Sequence, residues 1–207
     1  MKGLLLKDYY MAICYCRSFL LVSLVFIITS MISEGNVFTM VYPVVFCGMM
    51  AVTLIGYEER SRWTFYCEAF PYSRAQIVSS KYVFTAIVIL GVIVLTAIAQ
   101  GIRMSVRGTL EVLPFINLIA ILFLVGCAAP AVLMPFIFKY GVEKGRMGYY
   151  IVIGAACAVG AVLTMETPDI LFSISAVWLP FVCLSAGMIV FGISWRMSIR
   201  FYENREL

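Results

Sequence analysis

Residues 82–102 read Tyr-Val-Phe-Thr-Ala-Ile-Val-Ile-Leu-Gly-Val-Ile-Val-Leu-Thr-Ala-Ile-Ala-Gln-Gly-Ile, without one charged side chain. A helix rises about 1.5 Å per residue, so this stretch is long enough to cross a hydrocarbon core of about 30 Å. Five further stretches lack Asp, Glu, Lys and Arg, namely 18–33, 35–57, 112–138, 147–165 and 170–195. The first is short, and Arg17 would lengthen it by reaching to the interface. The pattern predicts an all-α membrane protein with six transmembrane helices over residues 18–207.

The composition agrees with a membrane protein and excludes several other classes. Hydrophobic residues make up 63% of the 207 residues and charged residues 13%, whereas soluble chains have about 25% charged residues. The net charge of +4 is too small for a nucleic-acid-binding surface. Histidine is absent, which removes the commonest catalytic base and metal ligand. No phosphate-binding loop of the G-x-x-x-x-G-K-[ST] type occurs either. We therefore expect no enzymatic activity, no metal and no cofactor on this chain.

The lysines and arginines predict the orientation in the membrane. Thirteen of the 15 basic residues lie in alternate segments, which are the N-terminal flank, residues 58–81, residues 139–146 and the C-terminal tail. Cytoplasmic loops are enriched in Lys and Arg, so both termini and the loop 58–81 are predicted to be cytoplasmic. All charged residues fall outside the six apolar stretches, so no charge within the membrane is expected to drive transport. Any energy must then come from a partner.

The segment 1–17 precedes the first apolar stretch and combines a basic start with a hydrophobic run. It has no clear small-residue cleavage site, so we interpret it as an uncleaved interfacial helix that leads into the first span. The apolar residues Leu5, Leu6, Tyr9, Ile13 and Cys16 are predicted to share one helical face. The alternative is a plain flank of the first span with no special role.

The loop 58–81 carries the most informative pattern. Trp63, Tyr66, Cys67 and Phe70 recur at helical spacing, which predicts a short amphipathic helix over 59–70. Pro71 ends that helix. Ser73 and Gln76 then form a capping-box pattern, which predicts a new helix running into the third span. In the alternative interpretation, the aromatic face of 59–70 lies on lipid headgroups.

These residues make the loop resemble the first cytoplasmic loop of the ABC-2 family of transporter permeases, in particular small six-span bacterial ones. An acidic pair, a tryptophan, a Pro-x-Ser-Arg run and a lysine follow in the family's order, while Phe70 stands where leucine is usual. The matching residues are Glu58, Glu59, Trp63, Pro71, Ser73, Arg74 and Lys81. The resemblance covers the six-span layout throughout, but motifs match only in about the first 100 residues.

The resemblance implies that 59–70 is a coupling helix that docks on a separate cytoplasmic ATPase. The residues expected to take part in coupling are Glu58, Glu59, Arg60, Arg62, Trp63, Tyr66, Phe70, Pro71, Ser73 and Arg74. ATP and Mg²⁺ would bind the ATPase, and two permease chains, identical or different, would assemble with two ATPase chains. The expected location is the plasma membrane of a bacterium.

Three functions follow as expectations, in decreasing order of support. The first is a permease subunit that exports a hydrophobic or amphipathic cargo, such as a peptide, because polar residues within the apolar stretches are few. The second is a membrane scaffold or regulatory subunit that anchors a cytoplasmic partner without moving cargo. The third, a membrane enzyme, is weakened by the absence of histidine. Pro43, Pro130, Pro135 and Pro180 are expected to kink or interrupt their helices.

Overall fold

The computed structural model describes residues 2–32, 37–61, 63, 66, 72–108, 111–145, 147 and 178–204. Its main elements are seven helices. They are α1 (Lys2–Tyr15), α2 (Arg17–Ile32), α3 (Val37–Gly48), α4 (Met50–Arg60), α5 (Arg74–Arg107), α6 (Val112–Tyr140) and α7 (Leu179–Glu203). The prediction of an all-α chain is therefore confirmed for these residues.

Within the described residues, four helical stretches are long and apolar enough to cross a membrane, which are Thr39–Arg60, Arg74–Arg107, Val112–Tyr140 and Leu179–Glu203. A fifth results if α1 and α2, which meet at a bend of 72°, are counted together as one broken span. The predicted fifth span, 147–165, lies outside the described residues except for Met147, and the sixth is described from Trp178 onward. Six spans and an interfacial position of α1 remain predictions.

α1 packs along the bundle through one face on which every fourth residue is buried, namely Leu4, Asp8 and Ala12. This face contacts α4 and α5. The opposite side exposes Leu6, Tyr9 and other apolar side chains. The prediction that Cys16 shares this outward face is wrong, because Cys16 is fully buried at the bend between α1 and α2.

α5 begins where the capping box predicts. The Gln76 amide donates a hydrogen bond to Ser73 Oγ at 3.2 Å, and the Ser73 amide donates one to Gln76 Oε1 at 3.3 Å. The helix ends at Gly108, whose φ of 68° suits glycine. α5 is longer than the apolar run 82–102. The apolar run marks the part of the helix that avoids water, whereas the capping residues decide where the helix starts.

α6 contacts α3 and α5 closely at Gly126. A Cβ placed there would lie 2.6 Å from Val44 Cγ1 and 3.0 Å from Ile89 Cγ2, so only glycine fits without a shift. Val44 and Ile89 belong to a buried cluster of α3, α5 and α6. A second close contact, between α6 and α7, forms at Gly187 against Phe123. These contacts set the spacing of α3, α5, α6 and α7.

The prolines behave in two ways. Pro43 lies inside α3, and both Pro130 and Pro135 lie inside α6. Pro180 lies in the first turn of α7, and the part of the predicted span 170–195 that precedes Trp178 lies outside the described residues, so the expected interruption at Pro180 stays a prediction. Proline is favoured in a first turn, since the missing N–H would have no helical partner there.

Candidate functional site

Three helices bring oppositely charged side chains together in the interior of the protein. Lys81 of α5 places its Nζ 2.5 Å from Asp8 Oδ1 of α1 and 2.5 Å from Glu58 Oε1 of α4. The exposed fractions of these side chains are 3% for Lys81, 1% for Asp8 and 8% for Glu58. One buried ammonium therefore bridges two carboxylates from two other helices.

Lys7 completes this group. Its ammonium forms an ion pair with Glu58 Oε1 and lies 3.6 Å from Asp8 Oδ1. The same ammonium lies 4.4 Å from the ring centroid of Trp63, which is a cation–π distance. We call Lys7, Asp8, Glu58 and Lys81 the charge cluster. It contains two acidic and two basic side chains, so it is electrically balanced.

The balance of the charge cluster explains how it can be buried. An isolated charge in a medium of low dielectric constant is costly, and it is retained only when opposite charges and hydrogen bonds compensate it. Among the described residues, Asp8 Oδ2 is buried without a hydrogen-bond partner, so the compensation of this carboxylate is incomplete. Removing either lysine would leave a carboxylate without its neutralising charge.

The position of the charge cluster decides what it can do. Glu58 lies in the last turns of α4, which ends at Arg60, and Lys81 lies near the start of α5. These two residues bond directly, so the ends of the helices that flank the segment 61–73 are joined. Asp8 joins α1 to α5, and Lys7 joins α1 to α4. The cluster links α1, α4 and α5 by ion pairs. No three His, Cys, Asp or Glu side chains are grouped for a metal in the part of the chain that the structure describes.

A polar cleft of about 650 Å³ lies between α4 and the end of α6. Glu59 and Arg60 line it from α4, and Glu143 and Lys144 line it from the segment after α6. Glu59 Oε2 accepts a hydrogen bond of 2.9 Å from the Val142 amide. Gly141, with a φ of 82°, makes room for the same carboxylate, since a Cβ there would lie 2.8 Å from Glu59 Oε1. The end of α4 is thus also fixed to the end of α6.

The predicted coupling residues separate into distinct environments. Glu58 is buried in the charge cluster, and Trp63 is half-buried beside Lys7. Tyr66 is exposed. Ser73 caps α5, and the Arg74 Nη1 group donates to the Glu203 carbonyl of α7 at 3.2 Å.

The predicted helix 59–70 differs from the structure at its start. Glu59 and Arg60 belong to α4, and Ser61 is the C-cap of this helix, with its N–H donating a hydrogen bond of 3.0 Å to the Tyr57 carbonyl. Arg62, Phe70 and Pro71, with most of 59–70, lie outside the described residues. Contact of the ten residues with an ATPase remains a prediction.

Sequence reasoning missed the charge cluster. The helices with the candidate spans Thr39–Arg60 and Arg74–Arg107 also carry Glu58 and Lys81, which lie just outside the apolar runs 35–57 and 82–102. Lys7 and Asp8 were not among the predicted site residues. One signal was available, since Asp8 stands four residues from both Leu4 and Ala12 on what becomes the buried face of α1.

The sequence matches a known protein family over nearly its whole length. The sequence model of the family described as "ABC-2 family transporter protein" matches residues 3–203. This range includes the charge cluster and the second half of the chain, in which no motif had been recognised. Comparisons with curated proteins and with solved structures give no match. With nearly all of its length matched, the chain belongs to the ABC-2 family of transporter membrane proteins.

Proposed function

We propose that the chain is the permease subunit of an ABC exporter, in which a separate cytoplasmic ATPase supplies the energy. The observation that carries the proposal is the family match together with the charge cluster, which joins both helix ends that flank the segment 61–73. In this assembly two permease chains work with two ATPase chains, ATP and Mg²⁺ bind the ATPase, and the permease itself is not an enzyme. The assembly lies in a bacterial plasma membrane with both permease termini in the cytoplasm.

The mechanism follows from the ion pair between Glu58 and Lys81. An ATPase that moves the segment 61–73 displaces the end of α4 and the start of α5 as one unit, because a buried ion pair links them directly. α1 follows through Asp8. A movement at the cytoplasmic surface is in this way passed to two membrane helices rather than absorbed by a flexible connection.

The surface of this region offers contacts of two kinds for the ATPase. Tyr66 is 64% exposed and provides aromatic contact area. Arg60 and Lys144 at the rim of the polar cleft provide charges that orient a partner. Trp63 is set deeper, and its contact with Lys7 passes a movement of the segment to the charge cluster.

The cargo proposed is a hydrophobic or amphipathic molecule, such as a peptide. The exposed faces of the spanning helices are apolar, with Ile87, Leu90 and Val94 on α5 and Phe181 and Met188 on α7 as examples. Apolar side chains of this kind contact lipid tails and the apolar groups of an amphipathic cargo alike. The direction of transport in this proposal is export.

The test is co-expression with the candidate ATPase, followed by reconstitution in liposomes and measurement of ATP hydrolysis with and without an amphipathic peptide. Trp63→Ala is expected to retain the ATPase on co-purification but to lose peptide-stimulated hydrolysis. Tyr66→Ala is expected to weaken ATPase binding. Tyr10→Ala is the matched control for Tyr66→Ala, because Tyr10 is 61% exposed but lies on the outward side of α1.

The outcomes separate the candidate functions. Failure of the wild-type chain to form a complex with any ABC ATPase would overturn the permease proposal. A stable complex without stimulated hydrolysis or transport would favour the alternative, a scaffold or regulatory subunit that anchors a cytoplasmic partner. Wild-type coupling in Trp63→Ala would contradict the role given to this side chain.

A further inference from the structure

Tyr82 follows Lys81 on α5 and contacts a different helix, α7. The hydroxyl of Tyr82 lies 2.7 Å from Ser194 Oγ and 2.7 Å from Ser198 Oγ, both on α7. All three side chains are buried. The Trp195 ring stacks parallel to the Tyr82 ring, with centroids 5.8 Å apart. Consecutive residues of α5 therefore hold different helices, with Lys81 bonded to α1 and α4 and Tyr82 to α7.

Ser194 extends this contact to α6. Its hydroxyl donates a hydrogen bond of 2.6 Å to the Ala131 carbonyl. That carbonyl is the one to which residue 135 would donate in a regular helix, but residue 135 is proline and has no N–H. A buried carbonyl without a donor is unfavourable. The Ser194 hydroxyl thus supplies the hydrogen bond that Pro135 removes from α6.

The direction of every hydrogen bond in this set follows from proton counting, because a hydroxyl carries a single hydrogen. The Ser194 hydrogen is used on Ala131, so Ser194 Oγ accepts from the Tyr82 hydroxyl. The Tyr82 oxygen in turn accepts from Ser198. We call Ser198, Tyr82 and Ser194 the hydroxyl chain. Its hydrogen bonds run from Ser198 on α7 to Tyr82 on α5, then to Ser194 on α7. The last hydrogen bond goes from Ser194 to the Ala131 carbonyl on α6.

We propose that the hydroxyl chain is a positioning device through which the local geometry of α6 around Pro135 depends on the position of α5. Pro135 lacks an N–H and leaves the Ala131 carbonyl without its helical donor, so α6 is easily deformed at this point, and here a side chain on another helix supplies the hydrogen bond. Displacement of α5 pulls Tyr82 from Ser194 and alters the support of the Ala131 carbonyl. The inference rests on the proposed function only in that the segment 61–73 supplies this displacement.

The first test uses the purified chain alone and asks whether Ser194 serves the carbonyl freed by Pro135. Ser194→Ala is expected to lower the midpoint of thermal unfolding by about 2–12 °C. Pro135→Ala restores an N–H donor to Ala131, so adding Ser194→Ala to that variant is expected to cost little. Ser185→Ala is the matched control, since Ser185 lies on α7, is exposed and bonds locally to the Val182 carbonyl.

The second test measures the geometry of α6 as the distance between two spin labels. The labels are placed at residues 113 and 140, near the two ends of α6, in a chain whose native cysteines are replaced. Tyr82→Phe keeps the ring and removes the hydroxyl, and it is expected to widen the distance distribution, whereas Ser185→Ala is not. In the complex with the ATPase, nucleotide is expected to shift this distance in the wild type, and Tyr82→Phe is expected to abolish the shift.

Two results would overturn the inference. One is an equal loss of stability from Ser194→Ala with and without Pro135→Ala. The other is a distance distribution in Tyr82→Phe that matches the wild type. Failure of the proposed function would look different, because nucleotide would then leave the wild-type distance unchanged while the rescue by Pro135→Ala and the widening by Tyr82→Phe remained.

Discussion

Lys81→Met is the substitution that tests the charge cluster most directly. Methionine has a similar length and fits an apolar site, so the change removes the ammonium while filling most of the space. Asp8 and Glu58 are then left with Lys7 as their one neutralising neighbour within the cluster. Because both carboxylates are buried, water cannot replace the missing charge.

The magnitude follows from the two contacts of Lys81. At an effective dielectric constant of about 20, opposite charges 2.5 Å apart attract each other by about 7 kcal/mol. The desolvation of the ammonium offsets much of this attraction, and removing one partner of a buried pair costs about 3–5 kcal/mol. For a chain of this size, that cost corresponds to a decrease of about 6–20 °C in the midpoint of thermal unfolding.

The assay is thermal unfolding of the purified chain in detergent. Lys144→Met is the matched control, since Lys144 is exposed at the rim of the polar cleft, and we expect a change of no more than about 0.5 kcal/mol. In Lys81→Met, Asp8 and Glu58 share the single positive charge of Lys7. Adding Asp8→Asn removes one of these two negative charges and leaves Lys7 paired with Glu58. This double variant is expected to regain part of the lost stability. Equal midpoints for Lys81→Met and Lys144→Met would refute the reasoning.

Two further predictions concern helix packing and helix capping. Gly126→Ala places a methyl group 2.6 Å from Val44 Cγ1 and is expected to destabilise the fold by about 1–3 kcal/mol, whereas Gly91→Ala, with nothing within 4 Å of its Cβ, is expected to stabilise it by about 0.5–1 kcal/mol. A lower unfolding midpoint for both would contradict the packing argument. Ser73→Ala removes the cap of α5 and is expected to cost about 1 kcal/mol, seen as faster hydrogen exchange at the Gln76 amide. Unchanged exchange there would contradict this role.

The sequence was sufficient for features that depend on neighbouring residues. Uninterrupted apolar runs locate α5 and α6, and the spacing of Ser73 and Gln76 predicts the start of α5 to the residue. The limit appears at helix ends, where α4 continues through Glu58 to Arg60 although the apolar run stops at Tyr57. Hydropathy cannot distinguish a charge in a loop from a charge in the last turn of a helix.

The contacts of the candidate site depend on residues far apart in the chain. Lys81 bonds Asp8 across 73 positions, and Tyr82 bonds Ser194 across 112. Nothing in the local sequence around Asp8 specifies which lysine approaches it. Pro135 in α6 was expected to kink its helix. The hydroxyl that bonds the freed Ala131 carbonyl belongs to Ser194 on α7, and only the packing of the two helices identifies it.

The bonding of Asp8 to Lys81 has a consequence for the order of events during synthesis. α1 precedes α5 in the chain, and its partner Lys81 is made 73 residues after Asp8. Asp8 can form its buried ion pair only once α5 has been made. Helix α1 therefore docks on α5 after that helix exists, although it precedes it in the chain. A chain that lacks α1 would lose Lys7 and Asp8 and leave Glu58 and Lys81 with each other.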